Sequence, residues 1–164
     1  MKELKVQELS REKFRIYGNY QDVLHVAEEF GRTEGTNIFI PDLLTLTLGN
    51  NLPVSISVAR VSECESVIEG VEYHKFTCEG ILPLDGDCNI FVGPAGFRLN
   101  MDSIEAYHVP KGTFVQLNPG VLHGRQFVFN IPCVNVLILL PQRTYANDLV
   151  YEILEGDKRI KIIV

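Results

Sequence analysis

The sequence predicts an all-β protein of the jelly-roll type with one short helix near its N-terminus. From residue 36 onward, apolar runs of strand length are separated by turn signals such as Asp85-Gly86 and Pro119-Gly120. Short strands with regularly spaced turns are typical of β-sandwiches and barrels. Neither a break in composition nor an internal repeat divides the chain, so we expect one domain over residues 1–164.

The N-terminal part of the chain predicts a strand followed by a helix. Residues 4–9 alternate weakly between polar and apolar side chains. The helix is expected to begin at Ser10, whose hydroxyl can cap free N–H groups, and to end at Gly18. Residues 21–30 have a helical composition but are soon followed by two glycines, so helix and loop are equal alternatives there. The remaining strands are expected at residues 36–40, 43–48, 53–61, 71–77, 79–84, 88–93, 103–109, 113–118, 125–129, 133–140, 149–154 and 158–164.

Composition and charge argue against several classes of partner. The net charge of −6 comes from 21 acidic and 15 basic residues without a basic block, so we expect neither nucleic acid nor a membrane as partner. The longest apolar run, residues 136–140, is too short to span a bilayer. The N-terminus lacks the apolar core of a signal peptide, and the four cysteines form no Cys-x-x-Cys pair. We therefore expect a cytoplasmic protein with reduced thiols.

Two carboxylates and two imidazoles form the main chemical candidate. Glu72 and His74 are two residues apart, so in a strand both side chains point the same way. Glu79 follows closely, and a Pro-Gly turn precedes His123. This mixed nitrogen and oxygen set suits Zn, Mn, Fe or Ni better than Ca or Cu(I), and the same groups could transfer protons. The sequence thus predicts a divalent metal site at Glu72, His74, Glu79 and His123.

Arg60 is the candidate for binding a negatively charged substrate. It ends a strand whose alternate residues Val54, Ile56 and Val58 are aliphatic. An arginine on such a face is costly unless it meets an anion, which favours a two-pronged contact with a carboxylate. The alternative is a strand end from which Arg60 reaches solvent or a structural carboxylate.

Gln116 and Asn118 are further candidates for substrate binding. They are polar amides in a predicted strand that also contains Phe114. A position in the barrel lining and a position on the surface are equal alternatives for these two side chains.

Two motifs resemble those of the cupins. Glu72-x-His74-x4-Glu79-x6-Gly86 resembles the first cupin motif, with Glu72 in place of its usual first histidine. Gly112 followed by Pro119-Gly-x-x-His123 resembles the second motif. The resemblance implies a double-stranded β-helix barrel with inward-pointing ligands, and it implies the homodimer that is common among cupins.

Within the cupins, the chain is similar to the ureidoglycolate lyase family, once called ureidoglycolate hydrolases. The similarity includes the opening segment 4–18, Ser57-Val-Ala-Arg60, Glu72-Tyr-His74 and Leu82-Pro-Leu-Asp-Gly86. The chain departs from that family at Glu79, where a glutamine is usual. It also departs at Leu122 and Gly124, which replace a tryptophan and a second histidine.

The resemblance implies elimination of urea from ureidoglycolate to give glyoxylate. Arg60 would hold the substrate carboxylate, while His74, His123 and Glu79 would carry out the proton transfers, with a carboxylate orienting a ring. The charged Glu79 favours a bound divalent metal. Two alternatives remain open: a metal-dependent cupin isomerase, epimerase or oxygenase acting on another small carboxylate or sugar, and a non-catalytic cupin that binds a metabolite.

Overall fold

The computed structural model describes residues 1–96 and 100–164, and the side chain of Asn50 lies outside the description. The strands of the described chain are β1 (Lys2–Glu8), β2 (Gly18–Asp22), β3 (Val54–Ser62), β4 (Val67–Ile68), β5 (Gly70–Tyr73), β6 (Glu79–Pro83), β7 (Cys88–Val92), β8 (Glu105–Val109), β9 (Thr113–Leu117), β10 (Phe127–Val128), β11 (Cys133–Pro141), β12 (Val150–Ile153) and β13 (Ile160–Ile163). The helices are single turns, α1 (Arg11–Phe14), α2 (Val26–Glu29) and α3 (Thr144–Asn147). Among the described residues, no helix is long and apolar enough to cross a membrane.

The strands form two large sheets and one small one. The order of the six-stranded sheet is β10-β7-β8-β1-β13-β4, and that of the five-stranded sheet is β2-β9-β6-β11-β3. Strands β12 and β5 form a separate antiparallel pair. The predicted all-β jelly-roll class with few helices is confirmed.

Aliphatic and aromatic side chains from both large sheets form the main core. Ile90 and Tyr107 of the six-stranded sheet belong to the same buried cluster as Val115 and Val136 of the five-stranded sheet. Helix α1 adds Phe14, whose ring meets Tyr107 edge-on at a centroid distance of 5.3 Å. The alternation predicted from sequence therefore places one face of each sheet against the other.

Two predicted strands are wrong, because residues 36–40 and 43–48 form no strand. Residues 43–48 instead pack over the outer face of β6, where Leu46 approaches Gly80. The carbonyl of Thr47 accepts a hydrogen bond from the backbone N–H of Cys78 at 3.0 Å. The leucines that suggested a strand are half-buried, so the segment covers the sheet without extending it.

Several other predicted elements are shorter than expected. The strand predicted at 125–129 contains only Phe127–Val128, and the possible helix at 21–30 contains only Val26–Glu29. Helix α1 ends at Phe14, although Ser10 caps it as predicted, with its hydroxyl accepting from the N–H of Lys13 at 3.4 Å. The sequence prediction missed β2 and β4 altogether.

The aliphatic face of β3 lies outside the core. Val54, Ile56 and Val58 are 54, 69 and 58% exposed. The opposite face of the same strand carries Val61, which is buried in the main core. Strand β3 therefore carries its aliphatic run Val54, Ile56 and Val58 on an exposed face, while Val61 on the opposite face is covered by the core.

Candidate metal centre

A short antiparallel bridge positions Glu72 and His123. The N–H of Glu72 donates to the carbonyl of His123 at 2.8 Å, and the N–H of His123 donates to the carbonyl of Glu72 at 2.9 Å. The turn before His123 contains Gly120 at a φ of +80°, a left-handed conformation that favours glycine. The N–H of Gly120 donates to the carbonyl of His74, so one turn fixes the backbone near both histidines.

The buried Asp148 ends strand β5 and orients His74. Its carboxylate accepts hydrogen bonds from the N–H groups of Lys75 at 2.8 Å and Phe76 at 2.9 Å. These two donors therefore cannot continue a strand ladder, which explains why the strand predicted at 71–77 ends at Tyr73. The backbone carbonyl of Asp148 also accepts from Nδ1 of His74 at 2.7 Å.

Three of the four predicted metal ligands converge. Nε2 of His74 lies 3.0 Å from Oε2 of Glu79, and Nε2 of His123 lies 3.1 Å from the same oxygen. The three donor atoms lie within 4.8 Å of one another, and the three residues are only 2 to 4% exposed. Two ligand atoms bound at right angles to one ion at about 2.1 Å are about 3.0 Å apart, so these separations fit one metal ion.

The backbone sets which ring nitrogens face Glu79. Nδ1 of His74 faces the carbonyl of Asp148, and Nδ1 of His123 faces the carbonyl of Val121 at 2.9 Å. A carbonyl only accepts, so both Nδ1 atoms must carry the donated proton. In a neutral imidazole Nε2 then has a lone pair, and both lone pairs point at a carboxylate. Either a cation between these atoms or added protons must compensate this repulsion. A divalent metal would do so, because imidazoles and carboxylates are among its usual ligands.

Without a metal, charge within the cluster controls its titration. Burial disfavours the charged form of His123, but the charge of Glu79 and its hydrogen bond outweigh burial and raise the pKa of His123 to about 9. Burial likewise disfavours charged Glu79, but the two imidazoles outweigh it and lower the pKa of that carboxyl. The metal-free cluster therefore holds a proton that a bound metal must displace.

Glu72 lies beside the three converging residues rather than among them. Its carboxyl is absent from the group of donor atoms formed by His74, Glu79 and His123. Burial, countered by the nearby charge of His123, raises the pKa of Glu72. The predicted four-residue set thus becomes three close donors and one neighbouring carboxyl.

A cavity of about 510 Å³ opens above these carboxylates. Glu72 and Glu79 line it, together with side chains that the sequence analysis did not identify. Tyr145 is one of them, and its ring meets the ring of His74 edge-on at 6.4 Å. Burial and the charges of Glu79 and Glu72 raise the pKa of the Tyr145 hydroxyl to about 12, so it keeps its proton. The other new lining side chains include Glu69, Arg125, Gln126 and Tyr151.

The predicted substrate-binding residues lie in different places. Arg60 lines the cavity, but its guanidinium donates to Sγ of Cys133 at 3.4 Å, and it shares the exposed face of β3 with Ile56. Gln116 lies opposite Gly80 and donates to Oδ1 of Asn118 at 3.0 Å. Because Glu79 precedes Gly80 in β6, its side chain lies on the other face of the sheet from Gln116.

Of the two alternatives for Gln116 and Asn118, the structure favours the one outside the barrel lining, because neither residue lines the cavity. Gln116 is buried through contacts on the outer side of its sheet, including a hydrogen bond to Sγ of Cys78 at 3.2 Å. Asn118 is exposed.

The chain is similar to several solved structures at low identity. A dTDP sugar isomerase from Desulfovibrio desulfuricans G20 has a TM-score of 0.49 and 12% identity over 74% of both chains. A dTDP-4-dehydrorhamnose 3,5-epimerase from Bacillus anthracis has a TM-score of 0.42 and 14% identity over 61% of this chain and 60% of its own. A mutant oxalate decarboxylase from Bacillus subtilis has a TM-score of 0.42 and 12% identity over 62% of this chain. The matched region spans only 24% of that decarboxylase.

These likenesses concern the fold alone. No protein-family model and no curated protein sequence matches the chain. The facing sheets with an inward His/Glu/His group nevertheless define a jelly-roll β protein with a candidate metal centre. The narrower resemblance to ureidoglycolate lyases stays a hypothesis about the substrate.

Proposed function

We propose that this protein is a metal-dependent enzyme of the cupin type that acts on a small carboxylate. His74, Glu79 and His123 would hold a divalent ion such as Zn, Mn, Fe or Ni. The observation that carries this proposal is the pair of Nε2 atoms at 3.0 and 3.1 Å from one Glu79 oxygen, each with its Nδ1 occupied by a backbone carbonyl. Two imidazoles and one carboxylate form a ligand set used by several transition metals in enzymes. A bound ion would polarise an oxygen of the substrate.

The first substrate to test is ureidoglycolate, the substrate that the family resemblance implies. Its elimination transfers the hydroxyl proton to a base, forms the carbonyl of glyoxylate, breaks the carbon–nitrogen bond and delivers a proton to the departing urea nitrogen. Glu72 lines the cavity beside the metal group without belonging to it, so its carboxyl is available as base. The Tyr145 hydroxyl lines the same cavity and can donate the proton to nitrogen. His74, Glu79 and His123 would take part through the ion.

A cation at the cavity would hold the substrate carboxylate, and among the described residues the lining includes Arg60 and Arg125. Arg125 lines the cavity, rests over the ring of Phe127 at 5.3 Å and donates to Sγ of Cys64 at 3.2 Å. Neither contact neutralises its charge. Arg60 also lines the cavity, but its charge acts on Asp85, whose pKa is lowered by hydrogen bonds from Asn135 and by Arg60. We therefore propose Arg125 as the principal anchor, with Arg60 as the matched comparison.

The test combines metal analysis with an assay for released urea. Protein purified without a metal-binding tag should contain close to one divalent ion per chain, and Glu79→Gln should lose it. Metal-loaded wild type should release urea from ureidoglycolate, Glu72→Gln should keep the metal but lose turnover, and Arg125→Ala should raise KM far more than Arg60→Ala does.

The outcomes separate the two parts of the proposal. Absence of any stoichiometric metal would contradict the metal centre itself. A metal-loaded protein that releases no urea would contradict ureidoglycolate as substrate while leaving the metal centre intact.

A further inference from the structure

Gln126 is a buried polar side chain that the proposed reaction does not use. It lines the cavity beside the candidate metal centre, and it is only 5% exposed. Its Nε2 donates to the backbone carbonyl of Gly124 at 3.3 Å. Among the described residues, no group donates a hydrogen bond to its Oε1. This side chain therefore has an accepting oxygen that a bound molecule can use.

The carbonyl of Gly124 determines which end of the Gln126 amide faces the cavity. A carbonyl oxygen only accepts, so the NH2 group must face it. Exchange of the two amide ends would place two oxygens 3.3 Å apart and lose the hydrogen bond. Within the described part of the chain, the one fully enclosed side-chain oxygen or nitrogen without a partner is Oδ1 of Asn89. Oε1 of Gln126 is therefore open to the cavity that its residue lines.

Gln126 lies beside Arg125, the proposed anchor of the substrate carboxylate. Both residues line the cavity, and they belong to a segment outside the named strands, so the strict alternation of a strand does not separate them. Consecutive Cα atoms are about 3.8 Å apart. A carboxylate at Arg125 and a hydrogen-bond donor at Gln126 therefore fit on one small molecule.

Gln126 differs from the other acceptors of the cavity because it is neutral. The carboxylates that line the same cavity are those of Glu69, Glu72 and Glu79. A carboxylate acceptor repels the carboxylate of a substrate, whereas an amide oxygen carries no net charge. An amide oxygen also has no proton to donate, so it pairs with an N–H group but not with a carbonyl or methyl group.

We propose that Oε1 of Gln126 accepts a hydrogen bond from an N–H group of the substrate, so that the cavity selects small carboxylates that also carry an amide or ureido group. This inference rests on the proposed function, in which Arg125 holds the carboxylate. The substrate hydroxyl is assigned to Glu72 there, so the donor that meets Gln126 is a separate group. A ligand that covers Oε1 without donating removes this oxygen from water and returns no hydrogen bond, which is the source of the selectivity.

Two unreactive ligands with the same skeleton test the proposal. Ureidoacetate carries an inner N–H and a terminal NH2 group, whereas levulinate has a methylene and a methyl group at those positions. Both have one carboxylate and one carbonyl oxygen, and neither has the hydroxyl from which elimination starts. Calorimetric titration of the zinc-loaded full chain gives the dissociation constant of each ligand. Wild type should bind ureidoacetate about five- to tenfold more tightly than levulinate.

Gln126→Met keeps the length of the side chain but removes its donor and its acceptor. The variant should keep its zinc, because Gln126 is outside the group of donor atoms. The ratio of the two dissociation constants should fall by about five- to tenfold relative to wild type. Comparison of ratios cancels the different affinities of a urea oxygen and a ketone oxygen for zinc. Gln116→Met makes the same change at a buried glutamine outside the cavity, and its ratio should equal that of wild type.

Two results would overturn the proposal: a wild type that binds ureidoacetate no more tightly than levulinate, or a Gln126→Met ratio equal to the wild-type ratio. Circular dichroism must show that the variants are folded. If Gln126→Met does not fold, Gln126→Leu is the second variant and should show the same change of ratio. The titrations need no turnover, and they can be repeated on the metal-free chain. Absence of urea release or of bound zinc would therefore contradict the proposed function, while the ratios would still decide the role of Gln126.

Discussion

Asp148 orients a proposed metal ligand without contacting the metal, and Asp148→Asn isolates that effect. In the wild type the two carboxylate oxygens accept from the N–H groups of Lys75 and Phe76 at 2.8 and 2.9 Å. An asparagine has one accepting oxygen, so its NH2 group would face one of these N–H donors. The backbone carbonyl that accepts from Nδ1 of His74 stays present, but the backbone segment that carries it loses one of the hydrogen bonds that fix its position.

The magnitude follows from the lost hydrogen bond and its burial. A hydrogen bond to a charged group contributes about 1.5–3 kcal/mol, and Asp148 is only 6% exposed. We therefore expect Asp148→Asn to lower the free energy of unfolding of the metal-free protein by about 2 kcal/mol. For a domain of this size, that loss lowers Tm by about 4–8 °C. The zinc affinity should fall by about 10–100-fold, as is usual when a group that orients a metal-bound histidine is changed.

Thermal unfolding in the presence of a chelator measures the loss of stability. Competition of the protein with a zinc indicator measures the loss of zinc affinity. Asp157→Asn is the matched control because Asp157 is exposed, and it should change neither quantity. Zinc affinity that is equal in Asp148→Asn and Asp157→Asn would refute the orienting role of Asp148. A loss of stability without a loss of affinity would show that Asp148 supports the fold alone.

Four further predictions concern the same cluster. Because the pKa of metal-free His123 is raised to about 9, zinc affinity should rise about tenfold per pH unit between about 6.5 and 9 and then level off in a competition titration. The raised pKa has the opposite effect on the metal-free protein: its stabilisation is complete below about pH 6.5 and is lost as pH rises through about 9, so Tm should fall over this interval. Gly120→Ala, at a φ of +80°, should lower the free energy of unfolding by about 1–2 kcal/mol and weaken zinc binding, whereas Gly156→Ala, also left-handed but remote from the site, should affect stability alone. Tyr145→Phe keeps the ring beside His74 but removes the hydroxyl, so zinc affinity should be unchanged while kcat falls; an unchanged kcat would exclude Tyr145 as the proton donor.

The sequence predicts the strand-rich class and most of the cluster because both depend on local spacing. His123 follows the Pro119-Gly120 turn, and Glu79 has the motif spacing from His74 and Gly86, so both could be identified from neighbouring residues. The sequence could not show that Glu72 lies outside the group of donor atoms. Glu72 and His74 share one face of the strand, yet the Glu72 carboxyl lies beside the three donors. The position of Glu72 relative to the three donors depends on where β5 ends. The carboxylate of Asp148, 72 residues beyond Phe76, sets that end.

The errors have a common physical cause. Residues 43–48 have the composition of a strand, but tertiary packing uses their leucines to cover a sheet. Val54 and Ile56 have the alternation of a buried face, yet they are exposed in the single chain. Alternation identifies which residues share a face, whereas the other elements of the fold determine what that face contacts. For the same reason Tyr145 carries no local signal, since it reaches the cavity from a segment distant in sequence. Arg125, by contrast, lies only two residues beyond His123, and this spacing is the signal that could have identified it.

Backbone carbonyls, rather than side chains, receive the Nδ1 protons of both histidines. A substitution at Val121 changes the side chain but leaves its accepting oxygen in place, so the ring orientation can persist through extensive sequence divergence. The orientation of the two rings instead depends on the backbone of the segments around 118–123 and 144–148, so an insertion or deletion there would disturb the histidines more than a side-chain substitution would.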